Sequence, residues 1–266
     1  MHGAFDHLAG PGIQRFDDDA LVAALRADPG LASCGLRRWL ATALDDEVRK
    51  AYWTYLKVAA RLGWPKRPTF ELEYIENSAE YYRRAAAANA VSTPLPVAAR
   101  VLVLAWHHPS APQLMAGVAE ARVLTLIAQR AQWMTALMGE GNTLSFRAPG
   151  SGIRLLRGFR EGRAIACMID FCYAESAHVE GPFLGFRVRT PIGVLSLASR
   201  FGYRLMLIGY EDGAPVIADE MDAGGQPVDA LADWANRGLQ RQIEADPAAW
   251  LLWPTLDRRA CDLAYD

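Results

Sequence analysis

Lysine is nearly absent from this chain. Lys50, Lys57 and Lys66 are the only lysines among 28 basic residues, so 25 are arginines. With 30 acidic residues the formal net charge is -2, which excludes whole-molecule attraction to nucleic acid or anionic lipid. The arginines are scattered. They read first as the codon bias of a GC-rich genome and only second as selection for bidentate binding of carboxylates or phosphates. Cysteine is sparse too. Cys34, Cys167, Cys172 and Cys261 form no C-x2-C pair, which speaks against a zinc site, and nothing points to an oxidising compartment. Cys167 lies in an apolar run and reads as core packing. The chain also lacks a clean membrane-length segment. Residues 101–119 carry no charge, but His107, His108, Pro109 and Pro112 interrupt them, so they read as a strand, a loop and a helix start. Residues 1–6 have neither a basic nor an apolar signal region, so no signal peptide is expected. A G-x-S-x-G elbow, a strand-linked G-x-G-x-x-G, a Walker loop and a basic-aromatic patch are all missing. These absences weigh against a standard hydrolase, a dinucleotide enzyme, a P-loop enzyme and a nucleic-acid binder.

What remains is an ordinary globular composition over 266 residues, 52% hydrophobic and 22% charged, enough for a core without disulfide or metal staples. We expect one domain over 1–266, with a helical subregion at 1–66 and a core at 67–266. Asp17, Asp18 and Asp19 suit a helix cap, and a longer helical pattern runs over 36–62 until the Gly63–Pro68 breaker. Strands are predicted at 69–75, 101–106, 122–128, 142–146, 163–169, 203–209 and 214–219. Helices are predicted at 78–88, from Pro112, and at 131–138, 152–161, 191–201 and 228–244, with 247–253 extending the last or forming another. The alternation implies an α/β fold with a mainly parallel central sheet and helices on both faces. Ligands in such sheets bind at the carboxyl ends of the strands.

The strongest chemical feature sits at one such end: Trp106-His107-His108-Pro109-Ser110-Ala111-Pro112-Gln113. A histidine there suits a general base near neutral pH. From Tyr74 to Arg259 the order of segments resembles the bacterial late acyltransferases of lipid A biosynthesis, within the lysophospholipid acyltransferase-like superfamily. The likeness rests on Val101-Leu102-Val103-Leu104-Ala105-Trp106-His107-His108, on Leu155–Gly162, on Phe183–Pro191 with Leu197–Gly202, and on the Pro247–Trp253 segment. It implies transfer of an acyl group from a carrier-protein or CoA thioester to a hydroxyl or amine. The His of an H-x4-D/E motif would be the base, and no cofactor is needed beyond the thioester co-substrate.

The chain departs from that pattern. With His108 as the base, the motif carboxylate is replaced by Gln113; with His107, Pro112 stands there. We take His108 as base, Gln113 as its orienter and Asp170, at the end of a buried strand, as the source of charge, with Glu175 as the alternative carboxylate. His107, Ser110, Arg130, Glu175, Arg187 and Arg189 are candidates for substrate contact; the last two alternate in an extended segment and are expected to share a face. Glu175, His178 and Glu180 fit no metal spacing, so no metal is expected. The expected setting is cytoplasmic, with peripheral contact to the inner membrane left open, and the expected partners are a thioester donor and a small acceptor. A silent acyl-chain or carrier-protein binder, or a thioesterase or cyclase using the same pocket, are the alternatives.

Overall fold

A computed structural model describes residues 44–87, 98–121, 123–127, 141–145, 148–172, 176–261 and 263. The helix expected after the Asp17, Asp18 and Asp19 cap and the one expected at 131–138, together with Arg130 and Glu175, lie outside the described residues.

Helix α1 (Leu44–Leu62) buries Val48, Ala51, Tyr55, Val58 and Ala59, the three-and-four spacing of one helical face. Helix α2 (Phe70–Ala87) corrects the expected strand at 69–75. Phe70 and Tyr74 are both buried, and a spacing of four satisfies a helix as well as a strand. Local chemistry favours the helix. Thr69 Oγ1 donates to Glu73 Oε1 at 2.8 Å, and Glu71 and Glu73 place negative charge in the first turn. Tyr55 stacks on Phe70 with centroids 4.3 Å apart, and Trp253 packs edge-on against both rings. Its hydroxyl accepts from the Arg67 amide and donates to the Pro65 carbonyl, fixing the turn between the two helices.

The remaining elements are β1 (Val101–Ala105), α3 (Ala111–Glu120), β2 (Leu124–Ile127), β3 (Thr143–Ser145), α4 (Ser151–Arg160), β4 (Ile165–Met168), β5 (His178–Phe183), β6 (Phe186–Pro191), α5 (Gly193–Phe201), β7 (Arg204–Glu211), β8 (Ala214–Asp222) and α6 (Val228–Ala245). Two 3-10 turns, Pro247–Ala249 and Trp253–Arg258, follow. Six strands form a sheet ordered β3-β2-β4-β1-β7-β8; all its pairs are parallel except the β7–β8 edge. The α/β expectation therefore holds. The expected strands at 142–146, 163–169, 203–209 and 214–219 fall on β3, β4, β7 and β8.

Strand β1 is buried along its whole length. Val101, Val103 and Ala105 face Leu114, Met115 and Val118 of α3. Leu102 and Leu104 face the opposite layer, with Leu195 and Ala198 of α5 and Leu231, Ala235 and Leu239 of α6. A strand covered on both faces needs this uninterrupted apolar run. Helix α6 approaches the sheet closely because Gly238 has no side chain; a Cβ there would lie 2.3 Å from Leu207 Cδ2.

The β5–β6 hairpin stands apart from the main sheet. Its turn is Leu184-Gly185, with φ of 53° and 77°, the two positive values of a type I′ turn. Phe186, Val188 and Thr190 are buried while Arg187 and Arg189 alternate on the other side, so the expected shared face is present.

Candidate functional site at the carboxyl edge of the sheet

The ladder between β1 and β4 pairs Ala105 with Met168. Counting two residues past each reaches His107 and Asp170, so parallel register alone brings a histidine and a carboxylate together across 63 residues of sequence. The Ile169 amide continues the pairing by donating to the Ala105 carbonyl at 2.9 Å.

The contact is a double one. His107 Nδ1 lies 2.8 Å from Asp170 Oδ1, and the His107 amide donates to Asp170 Oδ2 at 2.8 Å. Trp250 Nε1 donates to the same Oδ2 at 3.0 Å. The Asp170 side chain is fully buried while the His107 side chain is 32% exposed. Burial alone would raise the Asp170 carboxyl, but the His107 charge, its two hydrogen bonds and Trp250 together hold it below the usual carboxylate range. Burial pushes the His107 imidazole down; the Asp170 charge and hydrogen bond outweigh it and leave His107 above its ordinary value. An ionised carboxylate only accepts, so Nδ1 carries the proton and the neutral ring keeps its lone pair on Nε2.

Arg259 lies beneath this pair. It is 1% exposed, donates from Nη1 to the Asp170 carbonyl at 2.9 Å and from Nε to the Arg189 carbonyl at 3.3 Å, and sits 4.9 Å from the Phe183 ring. Burial lowers it to about 10, against the opposing pull of Asp170. The C-terminal segment is also tied in by the Leu251 amide, which donates to the His107 carbonyl at 3.0 Å, and by Tyr74, whose hydroxyl donates to the Leu251 carbonyl.

His108 has different neighbours. Its ring stacks on Tyr210, at the end of β7, with centroids 3.9 Å apart and planes 5° apart, and meets Trp106 edge-on at 4.8 Å. Its Nδ1 accepts the Ser110 amide at 3.0 Å. Burial, then the Arg84 charge, lowers its pKa to about 3. The expected bond from Gln113 to His108 is not formed. Gln113 Oε1 instead accepts from Arg84 Nη1 at 2.7 Å, as do Ser110 Oγ at 2.7 Å and the Gly213 carbonyl at 2.8 Å. A guanidinium reaching over from α2 thus takes the acceptor that the resemblance assigned to His108. Gly213 has φ of 76°, a conformation that favours glycine, and a Cβ there would lie 3.0 Å from Arg84 Nη2, which would have to give slightly.

The geometry therefore corrects the pairing read from the sequence, in which Gln113 was to hold His108. The histidine clamped by a carboxylate is His107, the carboxylate is that of Asp170, and His108 with Gln113 and Ser110 belongs to the Arg84 side. Arg187 and Arg189 do not join the pair. Arg187 is 70% exposed on its side chain and pairs with Glu180 at 2.6 Å; Arg189 donates to the Arg258 carbonyl and brackets Arg259 through its main chain. Sequence reasoning singled out neither Arg84 nor Tyr210, because both arrive through long-range packing. A cleft of about 300 Å³ lies between the hairpin and α6, lined by Glu180, Asp229, Asp233 and Asn236 among others; none of the clamp residues lines it. Among the described residues no group of three His, Cys, Asp or Glu is placed to hold a metal, and no helix is long and apolar enough to cross a membrane. No protein-family model and no curated protein matches the chain.

Proposed function

We propose that this chain transfers an acyl group from a thioester to a hydroxyl or amine, with His107 as the base and Asp170 as its orienter, as a divergent relative of the late lipid A acyltransferases. One observation carries the reading: a buried carboxylate grips a part-exposed imidazole by both its Nδ1 and its amide, at the carboxyl edge of a parallel sheet. That arrangement fixes the tautomer with Nε2 as acceptor and stabilises the imidazolium that follows proton transfer.

In the reaction, the acceptor oxygen or nitrogen forms a bond to the thioester carbonyl carbon. The acceptor proton passes to His107 Nε2, and the carbonyl π pair moves onto oxygen. The adduct then collapses, the C–S bond breaks, and the thiolate takes the proton back from His107. The products are the acylated acceptor and a free thiol, and Asp170 stays ionised throughout. The proposed setting is the cytoplasm, which supplies CoA and carrier-protein thioesters.

The test uses the purified full chain with dodecanoyl-CoA and a panel of hydroxyl and amine acceptors, following thiol release and acyl transfer. His107→Ala is expected to abolish release. Full activity in that variant, or saturable acyl binding with no release by the native chain, overturns the reading.

A further inference from the structure

His108 is left without a part in that chemistry, yet it is held more firmly than a bystander needs. Four constraints act on one ring. Tyr210 lies flat against its face, Trp106 closes the edge, the Ser110 amide occupies Nδ1, and Arg84 stands nearby as a fixed cation. Because Nδ1 accepts a hydrogen bond from an amide, the neutral ring carries its proton on Nε2. Nε2 has no hydrogen-bond partner among the described residues. His108 is only partly buried and adjoins His107, their Cα atoms about 3.8 Å apart across a trans peptide. The end of β1 thus presents two imidazoles, one held by the Asp170 carboxylate at the end of β4 and one stacked on Tyr210 of β7 with its Nε2 unengaged among the described residues.

We propose that His108 donates a hydrogen bond from Nε2 to the thioester carbonyl oxygen and stabilises the oxyanion that forms there. This rests on the acyl-transfer reading and adds an electrophilic partner to its base. A neutral donor suits the task. It cannot lose its proton to His107, and with its orientation already fixed it needs no reorganisation as charge develops. The depressed basicity of the ring, from burial and then from Arg84, agrees with this. Among the described residues, Arg84 from α2, itself paired with Glu80 of the same helix, Tyr210 from β7 and His107 are titratable or charged groups near it. Tyr210 is the positioning residue. Its hydroxyl is buried without a partner, so its contact with His108 is the flat face of its ring.

His108→Phe keeps an aromatic ring on Tyr210 and removes the donor. With dodecanoyl-CoA it is expected to lower kcat about 10²–10³-fold, with KM and the midpoint of the pH profile unchanged, because His107 sets that midpoint. His108→Gln, which retains an N–H, is expected to recover part of the loss. Native kcat in His108→Phe overturns the proposal, and so does loss of the acid limb of the profile, which would make His108 the base. Failure of the acyl-transfer reading looks different: His107→Ala would keep activity. Nitrogen-15 spectra of the imidazoles in the native chain need no turnover and no variant. They are expected to show His108 neutral and protonated on Nε2 across neutral pH; a proton on Nδ1 overturns the proposal.

Discussion

Two adjacent histidines at the end of one strand are driven in opposite directions by the strands on either side. On the β4 side, His107 faces a buried carboxylate, and its basicity is raised despite burial. On the β7 side, His108 faces a tyrosine ring and the Arg84 cation, and its pKa is pushed down to about 3. The two are chain neighbours, so local sequence cannot distinguish them. The difference lies in what the neighbouring parallel strands deliver: Asp170 from β4, Tyr210 from β7. Groups whose environments push their proton affinities apart are suited to opposite roles, one to accept a proton and one to donate a hydrogen bond while staying neutral.

The comparison is broken most severely by removing the anion. Asp170→Asn retains the shape of the side chain but not the charge that holds His107 in its tautomer. Thiol release is expected to fall about 10³–10⁴-fold. In the proposed mechanism the neutral His107 is the active form, and its pKa is raised, so the acid limb of the native profile is expected to lie above pH 6.5. In Asp170→Asn the midpoint moves down, since burial then acts unopposed. Stability follows the same groups with opposite signs. The contribution of His107 is complete below pH 6.5 and is lost as pH rises through its folded value. That of Asp170 is complete above its unfolded value and is lost as pH falls through its lowered one. A midpoint that ignores Asp170→Asn would separate the carboxylate from the base.

Next in size is the cation under the pair. Arg259→Met leaves the Asp170 and Arg189 carbonyls without a donor and removes a positive charge near a buried carboxylate. Breaking such an arrangement from one side costs about 3 kcal/mol. Urea unfolding is the measurement. An unchanged midpoint would mean that His107 and Trp250 suffice to keep Asp170 ionised.

Much of the scaffold was legible and the wiring of the site was not. The apolar run at 101–105 announced a strand covered on both faces, and the strand order placed chemistry at its carboxyl end. Asp170 was legible as a carboxylate at the end of the next buried strand. What the sequence did not carry was register: only the pairing of Ala105 with Met168 shows that Asp170 meets His107 rather than His108. The resemblance suggested Gln113 as a partner because it stands at the position of the motif carboxylate, five residues after His108, yet Arg84, 29 residues away in the chain, takes the bond. Phe70 and Tyr74 were misread as a strand because a separation of four fits both periods. The hairpin went unseen because its turn is Leu-Gly rather than Asn-Gly, with a leucine at φ of 53° whose amide is held by Gln240.

The smallest expected effect tests the assignment of Gln113 to the Arg84 side. In Gln113→Glu the new carboxylate meets Arg84, the group its amide oxygen already contacts at 2.7 Å. Part of the Arg84 charge is then cancelled, so His108 becomes slightly more basic. Burial, the larger cause of its depression, is untouched, so its pKa is expected to stay between about 3 and the ordinary 6.5. A proton titration followed by imidazole resonances reads this directly. His107 keeps Asp170 as its partner, so the acid limb of the rate profile should not move, and kcat should stay within about twofold, as for a substitution outside the hydrogen bonds of the reacting pair. A limb that shifts upward in Gln113→Glu would mean that the amide position communicates with the base. The division between the anionic β4 side and the cationic β7 side would then have to be redrawn around His108.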